Sequence, residues 1–367
     1  MVNYLVFLTI LASTFAIFSL GLNLQWGFTG LINFGHVAFM TIGAYTTVLL
    51  SQKGVPLPLA VLVGAFLAAL LGLLIGISTL RLREDYLAIV TIGVSEVVRL
   101  IALNEEDLTN GSFGVQNYPL PLDNFSPNLL VKLVMIALLT LVAVFALRKL
   151  RQGWGKKPSQ QPEGQQNRPL GMVISAIIGA LLILTVYIAG AIALYDYNYR
   201  AGLMLLSLIV LSIIYFGLER LVRSPWGRVL KAIREDEEVA KALGKNVFWY
   251  KLQSFMLGGA IAGIAGAFYS WQLTTVFPTN FEPIITFNAW TMVVLGGAGS
   301  NVGAILGAVI FWTYDSVTRF VLPQLGFIDA SRLGAFRVMV IGLILMVLMI
   351  LRPQGILGKK EELTLGR

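Results

Sequence analysis

Apolar blocks close to 20 residues long recur along the whole chain, and no other feature limits its fold as strongly. A helix rising 1.5 Å per residue crosses a hydrocarbon core of about 30 Å in about 20 residues. Lipid offers no partner for backbone polar groups, so segments that satisfy their own hydrogen bonds are required. Blocks of this kind lie at residues 4–22, 37–50, 57–77, 86–103, 129–147, 172–193, 201–218 and 252–272. Shorter or less regular ones lie at 289–295, 302–318 and 335–351. The expected fold class is all-α, a polytopic transmembrane helical bundle of about 8–11 membrane segments, some broken or re-entrant. Charged residues make up only 13% of the chain and mean hydropathy is +0.79, against about 25% charged in soluble domains. Met1 leads straight into the first block with no Lys or Arg before Lys53, so that block reads as an uncleaved helix.

The loops assign sides. Arg81 and Arg83, residues 148–168, residues 224–251 and residues 352–360 are basic and read as cytoplasmic. Residues 104–128 carry Glu105, Glu106, Asp107 and Asp123 and read as external. This alternation puts the N-terminus outside and the C-terminus inside. The net charge of +8 follows from those loops, and nucleic acid is not needed to explain it. Residues 153–169, rich in Gln, Pro, Gly and Lys, cannot bury enough apolar surface to order themselves and read as a flexible cytoplasmic linker within one membrane domain spanning 1–367.

Three glycine-rich stretches interrupt the apolar blocks. Residues 21–35 (GLNLQWGFTGLINFG) carry Asn23, Gln25, Thr29 and Asn33, and residues 295–303 (LGGAGSNVG) carry Gly296, Gly297 and Ser300. Irregular backbone at membrane depth survives only where protein buries it or a watery cavity receives it. Both stretches are therefore candidates for a solute pathway, with tight packing as the alternative. The third, around Gly259 and Gly263, has G-x-x-x-G spacing and reads as close helix contact.

Other polar groups at depth are few. Glu96 and Arg99, three apart, share a helix face and are expected to pair. His36, with no carboxylate or thiol beside it, reads as a packing residue rather than a metal ligand. Tyr195, Tyr197, Tyr199, Trp26 and Trp271 read as interfacial belts. No catalytic or metal site is expected. The chain has no Cys, a single His, and no G-x-x-x-x-G-K-[ST], H-E-x-x-H or G-x-S-x-G. Without a phosphate-binding loop, energy for pumping has to come from a partner.

The densest polar stretch is residues 224–250, where Glu235, Asp236, Glu237 and Glu238 sit between basic flanks. Acids in a first turn, Ala240, Ala242 and Leu243 beyond them, and Gly244 followed by Lys245 spell one helix over residues 235–244. Val239, Ala242 and Leu243 give it a narrow apolar stripe suited to a partner's groove.

Six stretches in order resemble the branched-chain amino acid importer permeases of the ABC class, LivM type. They are residues 21–50, 80–99 with 109–114 (TNGSFG), 223–250, 258–266, 293–303 and 351–358 (LRPQGILG). Around Gln25 and Trp26 the chain is also similar to cyanobacterial permeases for neutral amino acids. The resemblance implies a non-catalytic permease in a bacterial inner (plasma) membrane. It implies a homologous second permease, two ATP-binding cytoplasmic subunits and a periplasmic substrate-binding protein as partners, with ATP and Mg held by the ATPase and no cofactor here. It further implies that residues 224–250 are a cytoplasmic coupling loop. There Glu238, Val239, Ala240 and Gly244 stand at the family's Glu-Ala-Ala…Gly motif, with Val239 replacing the first Ala, and Glu235, Glu237 and Leu243 belong to the same contact. An ion-coupled transporter or channel, a permease for urea or another small amide, and a scaffold that only recruits a partner remain open.

Overall fold

The computed structural model describes residues 1–81, 84–155, 170–325, 333–352 and 354–358. Its helices are α1 (Val2–Leu22), α2 (Val37–Gln52), α3 (Leu57–Thr79), α4 (Glu84–Asn104), α5 (Glu106–Thr109), α6 (Leu129–Gly155) and α7 (Leu170–Tyr195). They continue with α8 (Tyr199–Arg223), α9 (Pro225–Glu235), α10 (Glu237–Ala242), α11 (Val247–Leu273), α12 (Ile284–Gly296), α13 (Asn301–Leu325) and α14 (Leu333–Leu351). Among the described residues, eight helices are long and apolar enough to cross a membrane: α1 extended to Gly27, α3, α4, α6, α8, α11, α13 and α14. The all-α expectation is met. Of the proposed linker, residues 153–155 continue α6, and residues 156–169 lie outside the described residues.

The chain forms two compact units. One comprises Met1–Ile10 and Pro121–Ser212. Its α6 and α7 run antiparallel. Lys132 Nζ donates to the Tyr195 carbonyl (2.7 Å), and Thr140 Oγ1 lies 3.1 Å from the Tyr187 hydroxyl. Leu130, Leu141 and Leu181 stay exposed, as lipid-facing positions should.

The other unit comprises Leu11–Leu120 and Ile213–Arg367, and its centre is α2, α3 and α11. Glycines let these backbones touch. A Cβ on Gly43 would fall 2.1 Å from the Gly263 carbonyl oxygen, and one on Gly266 2.1 Å from that of Met40. The third glycine-rich stretch therefore does not interrupt its helix: α11 runs unbroken through it, and its glycines serve contact. Trp271 belongs to this core too, 3% exposed and edge-on to Phe268, rather than to an interfacial belt. Trp26 likewise packs on Trp290, ring centroids 4.3 Å apart.

Two helices of this unit are half-length. The 16 residues of α2 and the 13 of α12 reach only about 24 and 20 Å. The first helix continues past Leu22 as a π turn over Asn23–Gly27, and residues 28–36 then fold back beside it. His36 Nε2 thereby comes 3.3 Å from the Phe18 carbonyl, roughly 13 Å up the helix from Gly27. There α2 begins. At the opposite end, Val115 and Val276 exchange backbone hydrogen bonds, after which the chain turns inward to start α12. The Val37 amide donates to Thr286 Oγ1, so both half-helices start at one depth and run apart.

Candidate coupling site and inner breaks

The first break is a closed hydrogen-bonded seam. Gln25 Nε2 donates to the Phe255 carbonyl (2.9 Å) and Gln25 Oε1 accepts from Asn33 Nδ2 (2.8 Å). Thr29 Oγ1 lies 2.7 Å from Ser254 Oγ, and Asn33 Oδ1 accepts from the Gly35 amide at 2.9 Å. All four polar residues singled out there are buried. In this conformation they hold the fold-back against α11 and offer no surface to a solute. From α12, Phe287 and Trp290 pack on Phe34 of the fold-back, ring centroids 5.3 and 5.0 Å away, with Trp290 Nε1 donating to the Asn33 carbonyl at 3.0 Å.

The second break lies against the first. Asn23 Oδ1 accepts from the Gly299 amide (2.9 Å) and Asn23 Nδ2 donates to Asn301 Oδ1 (3.3 Å). Gly297 and Gly299 take positive φ of 114° and 78°, a region that favours glycine. Ser300 caps α13 by accepting from the Gly303 amide at 3.1 Å. Gly296 and Gly297 end α12 beneath the closing segment. Ile356 donates to the Leu295 carbonyl (3.1 Å) and Leu357 to that of Gly296 (2.9 Å). No local sequence pattern links residues 354–358 to this break, about 60 positions earlier.

The charged segment is two helices rather than one. Glu235 ends α9, Asp236 is extended (φ −156°, ψ 108°), and its carboxylate caps α10 by accepting from the Val239 amide at 3.0 Å. Asp236 suits this role because its short side chain reaches the third amide ahead. Glu235 is thus displaced from the first turn assigned to it. Gly244 terminates α10 at φ +74°, as expected. Ala240 is buried with Ile233 and Val247, while Val239 and Leu243 are 54% and 71% exposed. Glu237 is drawn inward by ion pairs to Lys251 on α11 and to Lys241 (3.2 Å). Partial burial pushes the Glu237 carboxyl up, but the two lysines outweigh it and hold it below the usual carboxylate range. Glu238 faces outward and pairs with Lys241 at 2.9 Å. The helix that follows starts at Val247 under an Asn246 cap, five residues earlier than the apolar block suggested.

Glu96 and Arg99 form the expected pair, joined by two hydrogen bonds, one of 3.0 Å. A second carboxylate pairs within the long apolar helices. Asp315 on α13 meets Arg337 on α14 at 3.1 Å and Arg319 at 2.9 Å. Among the described residues no group of His, Asp or Glu could hold a metal ion.

Residues 4–349 match the family described as the branched-chain amino acid transport system permease component. It belongs to that family. Relatives of the LivM type cover nearly all of it. The high-affinity branched-chain amino acid transport permease LivM of Escherichia coli K12 is 31% identical over 95% of this chain and 68% of its own length. The probable LivM of Methanocaldococcus jannaschii is 26% identical over 95% of this chain and 91% of its own. The probable LivH permease of the same organism is 26% identical over 51% of this chain and 57% of its own length. No solved structure matches. The eight long apolar helices and these relatives make the chain a multi-pass inner-membrane permease of the LivM type.

Proposed function

We propose that this permease forms the membrane path of an ATP-driven importer for branched-chain or other neutral amino acids, taking energy from a separate ATPase through α9 and α10. One observation carries the reading. The α10 helix and its C-cap expose Val239 and Leu243, yet the helix is fixed from behind by the Asp236 cap, the buried Ala240 and the Glu237–Lys251 ion pair. A rigid short helix with an outward apolar edge suits a groove on a partner. The partners are a second permease related to this one, two nucleotide-binding subunits that carry ATP and Mg, and a substrate-binding protein on the opposite side. The permease itself performs no chemistry. LivM and LivH relatives among its matches support the pairing. The solute is a zwitterion in this reading, and the seam at Asn23, Gln25, Thr29 and Asn33 together with Gly296, Gly297 and Ser300 borders its inner exit, opening in another conformation. Reconstitution into liposomes with and without candidate ATPase subunits tests it by amino-acid uptake. Uptake should require the ATPase and ATP; uptake by this chain alone would overturn the reading in favour of ion coupling.

A further inference from the structure

Three contacts join α9 to the first break. Arg234 Nη1 donates to the Gly27 carbonyl at the end of the π turn. A Cβ on Gly30 would stand 3.5 Å from Arg234 Cγ, and Lys231 Nζ lies 5.7 Å from the Phe28 ring centre. The carbonyls at a helix end lack partners within the helix, so a guanidinium from another element binds Gly27 where the chain turns back. A second line reaches the same place from the foot of α8. Glu219 Oε2 accepts from Asn301 Nδ2 at 3.2 Å, and Asn301 Oδ1 accepts from Asn23 Nδ2. Asn23 in turn holds the Gly299 amide. The π turn, both breaks, the end of α8 and α9 are therefore linked in one ring, closed by these hydrogen bonds on one side and by the continuous chain from Glu219 to Arg234 on the other.

We propose that Arg234, Asn23, Asn301 and Glu219 are positioning residues that transmit displacement of α9 and α10 to both breaks together, so that force applied at the charged segment opens the inner end. This rests on the ATP-driven reading. Coupling carried by a bonded network is removed when a link is cut, while each end keeps its own activity. The ring predicts that kind of separation. It also gives Asn23, at the border of the inner exit, a place in transmission.

The test is the ratio of amino acid taken up to ATP hydrolysed in liposomes holding the full complex. Arg234→Ala should leave hydrolysis near wild type and lower the ratio on the order of tenfold, with Arg234→Lys recovering part of it. Arg148→Ala, which removes an exposed charge outside the charged segment, should change neither. Asn301→Asp sets a carboxylate against Glu219 and should also lower the ratio. Adding Glu219→Gln to it should restore the ratio, since the amide then donates to the new carboxylate. A wild-type ratio in Arg234→Ala, or no recovery in the Glu219→Gln, Asn301→Asp double variant, overturns the proposal. If Arg234→Ala does not assemble, the Asn301 and Glu219 variants decide. ATPase-independent uptake by the wild type would overturn both this proposal and the function beneath it; a coupled wild type with an unaffected Arg234→Ala would overturn this one alone.

Discussion

The backbone amide of Val37 and the side-chain oxygen of Thr286 lie 2.9 Å apart, joining the first turns of two half-length helices. Each first turn carries amides without helical partners, and here one of them is met by the other helix's hydroxyl. Thr286→Ala should leave the Val37 amide buried and unsatisfied, at about 1–3 kcal/mol. Thr286→Ser should keep most of the stability. Thermal unfolding of the detergent-purified chain compares the two; equal melting of Ala and wild type would refute the role given to this bond.

Gly43→Val should prevent α2 from reaching α11, because the Gly263 carbonyl oxygen already lies 2.1 Å from where a Cβ would go. Little monodisperse protein should be recovered by size exclusion. Gly93→Ala, with nothing within 4 Å of the added carbon, should be neutral or gain up to about 1 kcal/mol from helix propensity.

Asp315→Ala should leave Arg337 without the carboxylate 3.1 Å away that pairs with it. Breaking a buried pair costs about 3–5 kcal/mol, less where water reaches it. The double variant Asp315→Ala, Arg337→Met should recover much of the loss, read as melting temperature in detergent. A double variant no better than the single one would show that the two residues act apart.

The carboxyl of Glu237 is held below its ordinary range. Its stabilising contribution is therefore complete above the unfolded value near 4.3 and is lost as pH falls through the lower folded value. Hydrogen exchange in residues 237–251 should rise below about pH 4 in the wild type. Glu237→Gln should exchange faster already at pH 7 and lose the acid-dependent step. A wild type whose exchange in this segment follows only intrinsic chemistry down to pH 3 would remove Glu237 from the brace.

Gly244→Pro and Glu238→Lys should each reduce uptake per ATP while the chain still inserts in the membrane. Gly244 sits at φ +74°, which proline cannot adopt. Glu238→Lys reverses an exposed charge beside Lys241. Leu243→Asp should weaken capture of the ATPase directly, since Leu243 is 71% exposed. Normal uptake in all three would remove α10 from the contact.

Membrane segments were legible where apolar runs were uninterrupted. The run over residues 57–77 became α3 within two residues. The pair Glu96–Arg99 was legible because helix geometry alone sets neighbours three apart. Asp315–Arg337 was not, being 22 positions apart on different helices. The polar residues of the first break plainly could not face lipid, but their partners Phe255, Ser254 and Asn301 lie more than 200 positions away. Charge density also hid the start of α11. Val247–Tyr250 is apolar, but it was absorbed into its charged surroundings. The one extended residue, Asp236, depends on a cap competing with helix continuation, and residue type permits either.

Ile356 and Leu357 bond to Leu295 and Gly296, about 60 positions earlier in the chain. During synthesis the N-terminal part emerges first, so α12 must wait in the membrane with its last carbonyls uncovered until the closing residues arrive. The inner end is thus the last part of this unit to be completed. Premature termination before Gly355 would leave a nearly full-length chain lacking that cover, a ready target for quality-control proteolysis.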